Sequence, residues 1–189
     1  NSAEKGGAVV NRVAFYRLPL LLTTTRNYAK WRGGGVFNDY GCSPVFTDCA
    51  FTENSTDGNG GGMYTDDHSS QIGFSRPTVT NCTFTKNTAK FRNGSTKNLN
   101  KCSPVIAGCT FTGNSAGKGG GGISNDYRVF AWVSKCTFTG NSADTGKAAI
   151  DTDDSSVVRE GKPVWLRPVP DESPRLPPGI PAVGPGARG

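Results

Sequence analysis

Histidine occurs once in the 189 residues, as His68, and methionine once, as Met63. A single imidazole leaves no His pair for a metal site and only one candidate base for a catalytic triad. Charge is sparse, at 19% of residues, and hydrophobic residues reach only 34%, both below the usual globular shares. No run of 18 apolar residues exists, so no transmembrane helix is expected. Missing too are the Ala, Leu, Glu and Lys runs that propagate helices. In their place stand 26 glycines and many Thr, Asn and Ser, all weak helix formers. The glycines cluster and do not recur at every third residue, which excludes collagen.

The 21 Lys and Arg against 15 Asp and Glu leave a net charge of +6. These basic residues are scattered, none forms a run of five, and Arg159, Lys162, Arg167, Arg175 and Arg188 all fall within the last 31 positions. Nucleic acid is therefore not an expected partner, since its recognition calls for a clustered basic face.

What is abundant is repetition. Cys49-Ala-Phe51-Thr-Glu-Asn54, Cys82-Thr-Phe84-Thr-Lys-Asn87, Cys109-Thr-Phe111-Thr-Gly-Asn114 and Cys136-Thr-Phe138-Thr-Gly-Asn141 are four copies of one phrase, their asparagines 33, 27 and 27 residues apart. Asn27-Tyr28-Ala29 and Asn1-Ser2-Ala3 continue the series backwards at spacings of 27 and 26. Other features keep fixed offsets from the asparagine. Gly33-Gly34-Gly35, Gly60-Gly61-Gly62 and Gly120-Gly121-Gly122 recur, degraded to Lys147-Ala148-Ala149 in the last unit. Then come Val36, Met63, Ile123 and Ile150, and after them Asp39, Asp66, Asp126 and Asp153. Pro44, Pro77 and Pro104 each precede a Cys by five residues. The one 33-residue unit carries six extra residues between Met63 and Pro77, as a loop insertion on a constant frame would.

Within the phrase Cys and Phe alternate with Thr, the pattern of a half-buried strand. Each unit holds two or three such short runs, too few to bury a core alone. Stacking as coils of a parallel β-helix solves this by placing equivalent residues about 4.8 Å above one another. The expected fold is all-β, a solenoid of five to six coils over residues 1–154, followed by a Pro-rich, disordered tail or linker over 155–189 that cannot pair as β-strand. Cys49, Cys82, Cys109 and Cys136 then form a buried thiol ladder in place of a disulfide framework or zinc site. Cys42 and Cys102, each before Ser-Pro, are expected to be surface thiols in turns. Phe51, Phe84, Phe111 and Phe138 should stack in the core. Asn54, Asn87, Asn114 and Asn141 should take left-handed turns and hydrogen-bond amide to amide.

The four F-x-x-N phrases, with Gly6-Gly7-Ala8-Val9 and Gly121-Gly122-Ile123, resemble the F-x-x-N and G-G-A-[ILV] signature of polymorphic outer membrane protein repeats. They are also similar to the right-handed parallel β-helix repeats of the pectin-lyase-like group. The resemblance covers residues 1 to about 154 and implies a single-stranded, right-handed parallel β-helix. Residues 12–26 and 91–101 keep the unit length but lose the phrase: Leu22 and Thr24 stand for Cys and Phe, and Leu99 for Asp. The group includes polysaccharide lyases and hydrolases as well as adhesins whose helices are passive scaffolds, and fold alone does not choose between them.

Chemistry rests on Asp39, Asp66, Asp126 and Asp153, joined by Asp67 and Asp154. Stacked carboxylates could hydrolyse a glycosidic bond or hold Ca2+ against a glycan; stacked like charges repel unless something neutralises them. Alternatively Asn38-Asp39-Tyr40 and Asn125-Asp126-Tyr127 are turns in which Asp caps its own backbone. An active site is one irregular constellation, whereas this aspartate recurs in almost every coil, which favours structure over catalysis. The expected function is a non-enzymatic structural scaffold or adhesin-like passenger, secreted or on the outer cell surface, with glycans or surface proteins as partners and no cofactor beyond Ca2+. The alternative is a polysaccharide-active lyase or hydrolase. The chain enters in mid-phrase at Asn1, so a longer array is expected.

Overall fold

The computed structural model describes residues 2–11, 19–20, 22–67, 75–92, 94–100, 102–152 and 157–159. Among them are only short strands, which assemble into four parallel sheets whose members follow one another in chain order. That order is the signature of a solenoid, in which each coil pairs only with the coils before and after it. The first sheet, after the recurrent asparagine, contains Ser2–Lys5, Tyr28–Arg32, Ser55–Thr56, Thr88–Arg92, Ser115–Lys118 and Ser142–Thr145. The second, after the glycines, contains Val9–Asn11, Val36–Asn38, Met63–Thr65, Thr96–Leu99, Ile123–Asp126 and Ile150–Thr152. The third contains Pro19–Leu20, Val45–Thr47, Thr78–Thr80, Val105–Ala107, Phe130–Ser134 and Val157–Arg159. The fourth, the Cys-Phe sheet, contains Thr23–Thr25, Ala50–Thr52, Thr83–Thr85, Thr110–Thr112 and Thr137–Thr139.

Each coil thus has four strands where sequence alternation showed two or three, because strands of three residues are too short to display a period. Val157–Arg159, expected to lie in an unpaired tail, pairs with Phe130–Trp132; it stops short of the first tail proline, Pro163, and so keeps its amide donors. The remaining tail residues lie outside the described part.

Strand register follows the 27-residue period directly. Phe51, Phe84, Phe111 and Phe138 face one another with ring centroids 4.5, 4.9 and 4.8 Å apart and planes within 5° of parallel. Thr24 fills the same position under Phe51. Residues 66–77 absorb the insertion: Met63 pairs 27 residues back to Val36, and Thr78 pairs 33 back to Val45. The ends of the excursion are tied together, Ser75 N–H donating to Asp67 Oδ2 at 3.3 Å and Ser75 Oγ to the Asp66 carbonyl at 3.0 Å.

The asparagine ladder runs through five coils. Nδ2 of Asn27, Asn54, Asn87 and Asn114 donates to Oδ1 of the next asparagine at 3.0, 3.1, 3.0 and 2.8 Å. The backbone N–H of the same four donates to the same oxygens. The second amide hydrogen of Asn87, Asn114 and Asn141 goes to the carbonyl of Phe51, Phe84 and Phe111. The left-handed residue of this corner is not the asparagine but the residue before it: Arg26, Glu53, Lys86, Gly113 and Gly140 all have φ between 52° and 61°. Its side chain points to solvent, which leaves the asparagine free to turn inward.

The middle glycine of each triplet is required by close approach and not by its φ. A Cβ on Gly34 would lie 2.3 Å from the Gly61 carbonyl oxygen, and one on Gly61 would lie 2.3 Å from that of Gly94. Cβ atoms in this column point at the following coil. Ala148 occupies the equivalent place in the last coil, where no described residue stacks beyond it.

The four ladder cysteines are free thiols, Cys136 half-buried and the others buried. Cys42 and Cys102 are free as well, but they are not surface thiols: they are 3% and 0% exposed. Each Sγ donates to a carbonyl three residues back, Asp39 and Leu99, at 2.7 Å. Ser75 and Val129 take the same place in the other coils and are also buried. A second column of small inward residues therefore fills the corner between sheets two and three, and hydrogen bonding to the turn lets a thiol or hydroxyl serve there.

Candidate functional site

The aspartates sit beside a trough on the outer side of the second sheet. Val36, Met63, Ile123 and Ile150 pack in or against the core and the buried Thr96 holds the same register position, so the following residue in each of these five strands turns to the opposite face. These are Phe37, Tyr64, Lys97, Ser124 and Asp151, aligned by strand register. One wall is the end of the first sheet, where Lys5, Arg32, Lys118 and Thr145 stand; the other is the turn bearing the aspartates. Although outward, Phe37, Tyr64, Lys97 and Ser124 are buried, because the walls close over them. Lys5 Nζ lies 5.7 Å from the centroid of Phe37, and the Arg32 guanidinium 5.1 Å from that of Tyr64. Phe37 and Tyr64 stack at 5.6 Å.

Asp39, Asp66 and Asp126 each have protein partners. Asp66 Oδ2 accepts from Tyr64 Oη at 2.8 Å and Arg32 Nη1 at 3.3 Å, while Oδ1 accepts from Asn100 Nδ2 at 2.6 Å. The backbone capping expected of such turns is present at Asp39 and Asp66, whose Oδ1 atoms accept from the next N–H at 2.9 Å. Asp126 differs: Oδ2 is in close contact with Lys97 Nζ, and Oδ1 accepts from Ser124 Oγ at 3.2 Å. Leu99 interrupts the column between Asp66 and Asp126. The expected row of mutually repelling carboxylates is therefore divided and neutralised by cations from the opposite wall and the floor. Among the described residues, no three His, Cys, Asp or Glu side chains converge closely enough to hold a metal ion. Asp153, Asp154 and His68 lie outside the described residues.

Burial and neighbouring groups shift the titrating side chains in both directions, hydrogen bonding with Cys109 holding the thiols of Cys82 and Cys136 down to about 7. Desolvation, with Asp66 close by, pushes the Tyr64 phenol up. Burial raises the Cys102 thiol well above its ordinary value, and the carboxylates of Asp66, Asp67 and Asp39 add to it. Cys49 is raised by burial, and Cys109 by hydrogen bonds to Cys136 and Cys82.

Lys97, Ser124, Tyr127 and Asp151 were not read as site residues from sequence. The signal for Lys97 was positional: it stands ten residues after Asn87, where Phe37 and Tyr64 follow their own asparagines. At the far end the trough opens into a cavity lined by Lys118, Asp126, Tyr127, Thr145, Asp151 and Thr152, together with two glycines.

A chain built of stacked four-strand coils, with asparagine, phenylalanine and cysteine columns, is a parallel β-solenoid repeat protein. Its coils are similar to a known repeat: residues 108–126, which run from the corner before Cys109 through Asp126, match the Chlamydia polymorphic membrane protein repeat. No curated protein and no solved structure matches the chain. Fold and repeat together are consistent with a cell-surface β-helix protein. Among the described residues no helix is long and apolar enough to cross a membrane, which says nothing of strands.

Proposed function

We propose that the chain is a non-catalytic, surface-displayed segment of a β-helix passenger, a rigid scaffold that presents its outer turns to neighbouring surfaces. The observation that carries this reading is that the described aspartates of the column are held by the chain's own side chains and turns. A hydrolase or lyase needs carboxylates left available to a substrate at one place. Here Asp66 and Asp126 are committed to Arg32, Tyr64, Lys97 and Ser124, and Asp39 to its own turn. The repeated columns lie inside, while the six-residue insertion falls between Met63 and Thr78 without breaking the register on either side, as expected of a frame that tolerates loop variation.

Limited proteolysis of intact cells that make the protein tests display: peptides from residues 1–154 should be released without lysis, and their recovery only after lysis would overturn the reading. Incubation with polygalacturonate tests the enzymatic alternative. Accumulation of unsaturated or reducing sugar ends, lost in Asp126→Asn, would establish catalysis instead.

A further inference from the structure

We infer that Lys97 and Asp126 form a covalent cross-linking site, where the lysine amine and the aspartate carboxyl condense to an isopeptide amide that ties two neighbouring coils together. This goes beyond the scaffold reading and does not depend on it, because the bond is detected by mass on the purified chain. The floor of the trough is held by Phe37, Tyr64, Lys97, Ser124 and Asp151 in successive coils, so one coil alone offers an amine there. Asp126 stands two residues beyond Ser124, in the next coil, and its Oδ2 is in close contact with Lys97 Nζ. That contact brings the nitrogen up to the carboxyl carbon it would attack. Holding two reactants in this way is equivalent to a concentration on the order of 10⁵ M or more.

Two features separate this pair from an ordinary ion pair. The first is burial, the two side chains being 2% and 11% exposed. In water, condensation is opposed by hydration of both charges; burial strips that hydration and favours the neutral forms. Lys90 and Asp57 provide the contrast, the same two groups in contact with solvent at 74% and 40% exposure. Arg32 and Asp66 provide another, because a guanidinium keeps its proton and is no nucleophile. The second feature is Ser124, whose Oγ accepts from Lys97 Nζ at 3.4 Å and donates to Asp126 Oδ1 at 3.2 Å. The hydroxyl stands between the group that must lose protons and the group that must gain them.

The step balances without a co-reactant. The ammonium passes one proton through Ser124 to the carboxylate, which leaves a neutral amine beside a carboxylic acid. The nitrogen lone pair attacks Cγ, the C–N bond forms, and one Cγ–O bond breaks. The departing oxygen carries off the acid proton and a second proton from nitrogen as water. Asp126 lines the cavity at the end of the trough, which gives that water a way out. The product is uncharged, so neither partner remains as a buried ion. The amide joins positions 29 residues apart and anchors residues 91–101, the stretch that has lost the repeated phrase, to the regular coil that follows. The closed loop also restrains the unfolded chain.

The test is mass spectrometry of the intact 189-residue chain under denaturing conditions, followed by digestion with trypsin. The chain should weigh one water less than its sequence, and peptides 93–101 and 119–128 should appear joined through an uncleaved Lys97 and Asp126. Lys97→Arg keeps the positive charge but lacks the nucleophile, and should show the full sequence mass and a thermal midpoint lower by several degrees. In freshly synthesised chain followed over time, Ser124→Ala should acquire the link at least tenfold more slowly; linking at the wild-type rate would overturn the relay. The inference as a whole is overturned if the wild-type chain has its full sequence mass, if trypsin cleaves it after Lys97, if the water loss persists in Lys97→Arg, or if Lys90 and Asp57 are linked to the same extent.

Discussion

Asn87 Oδ1 receives two hydrogen bonds from a single residue, Asn54, whose side-chain Nδ2 lies 3.1 Å away and whose backbone N lies 3.0 Å away. Asn87 returns its own amide to the Phe51 carbonyl at 2.8 Å. Truncation to alanine would strand all three groups in the core. At about 1–3 kcal/mol for each buried polar group left unpaired, Asn87→Ala should cost on the order of 4 kcal/mol in urea unfolding. Asn141→Ala, at the half-buried end of the same ladder, should cost about half as much; equal losses would show that burial is not what sets the cost.

Gly61→Ala tests the requirement for bare backbone. The new Cβ would meet the Gly94 and Thr88 carbonyl oxygens at 2.3 and 2.5 Å, neither of which can move without shifting a coil. Overpacking of this kind costs about 3 kcal/mol. Ala148→Gly, in the same column at the last coil, should change the midpoint little.

The buried Lys97 and Asp126 pair should behave asymmetrically. Lys97→Ala removes the cation and leaves the carboxylate in the trough, a loss of about 3–5 kcal/mol. Lys97→Met combined with Asp126→Leu places in one coil the apolar side chain that Leu99 already provides in another, and should recover most of that loss. A double variant as unstable as the single one would mean that the pair itself holds the turn.

Alkaline stability and thiol reactivity share one cause. Cys49, Cys102 and Cys109 have thiols raised in the fold, and Tyr64 a raised phenol. A raised folded value stabilises the protein below the unfolded value and is lost as pH climbs past it. Stability should therefore fall as pH rises above about 8.5, the ordinary thiol value. In native protein at neutral pH, a thiol reagent followed by mass mapping should modify the half-buried Cys136 first and Cys102 only on unfolding.

Arg32 and Lys97 already offset Asp66 and Asp126, so the melting midpoint should be the same in Ca2+ and in EDTA. An upward shift of several degrees with Ca2+ would reveal an ion bound to the native state, with Asp153 and Asp154, which follow the repeat's sequence offset, as the first residues to substitute.

The columns that repeat in every unit were legible because each was sampled four or more times: Phe51 with its partners, Asn54 with its partners, the glycines. Features that depend on one coil meeting another were not. Lys97 lies in a stretch that has lost the repeated phrase, and its partner Asp126 is 29 residues away, so nothing local marks the pair. Cys42 and Cys102 looked like surface thiols because Ser-Pro follows them. Their burial comes from a column that alternates Cys, Ser, Cys and Val, whose shared trait is size and not chemistry. Left-handed conformation was assigned to the asparagines on propensity, yet Arg26, Glu53 and Lys86 adopt it, since the asparagine side chain is needed inside. The cavity was invisible because its lining joins residues of three separate segments, Lys118, Asp126 with Tyr127, and Thr145 with Asp151 and Thr152, which no single motif encodes.

Every amide-to-amide hydrogen bond in the asparagine ladder runs toward the later coil, while the second amide hydrogen returns to a backbone carbonyl of the earlier one. The two ends of the stack are thus chemically unlike, as the two ends of a filament are. Two copies meeting through a twofold axis would set like end against like end, donors facing donors or acceptors facing acceptors. Only a head-to-tail junction continues the pattern, and such a heterologous contact has no built-in stop.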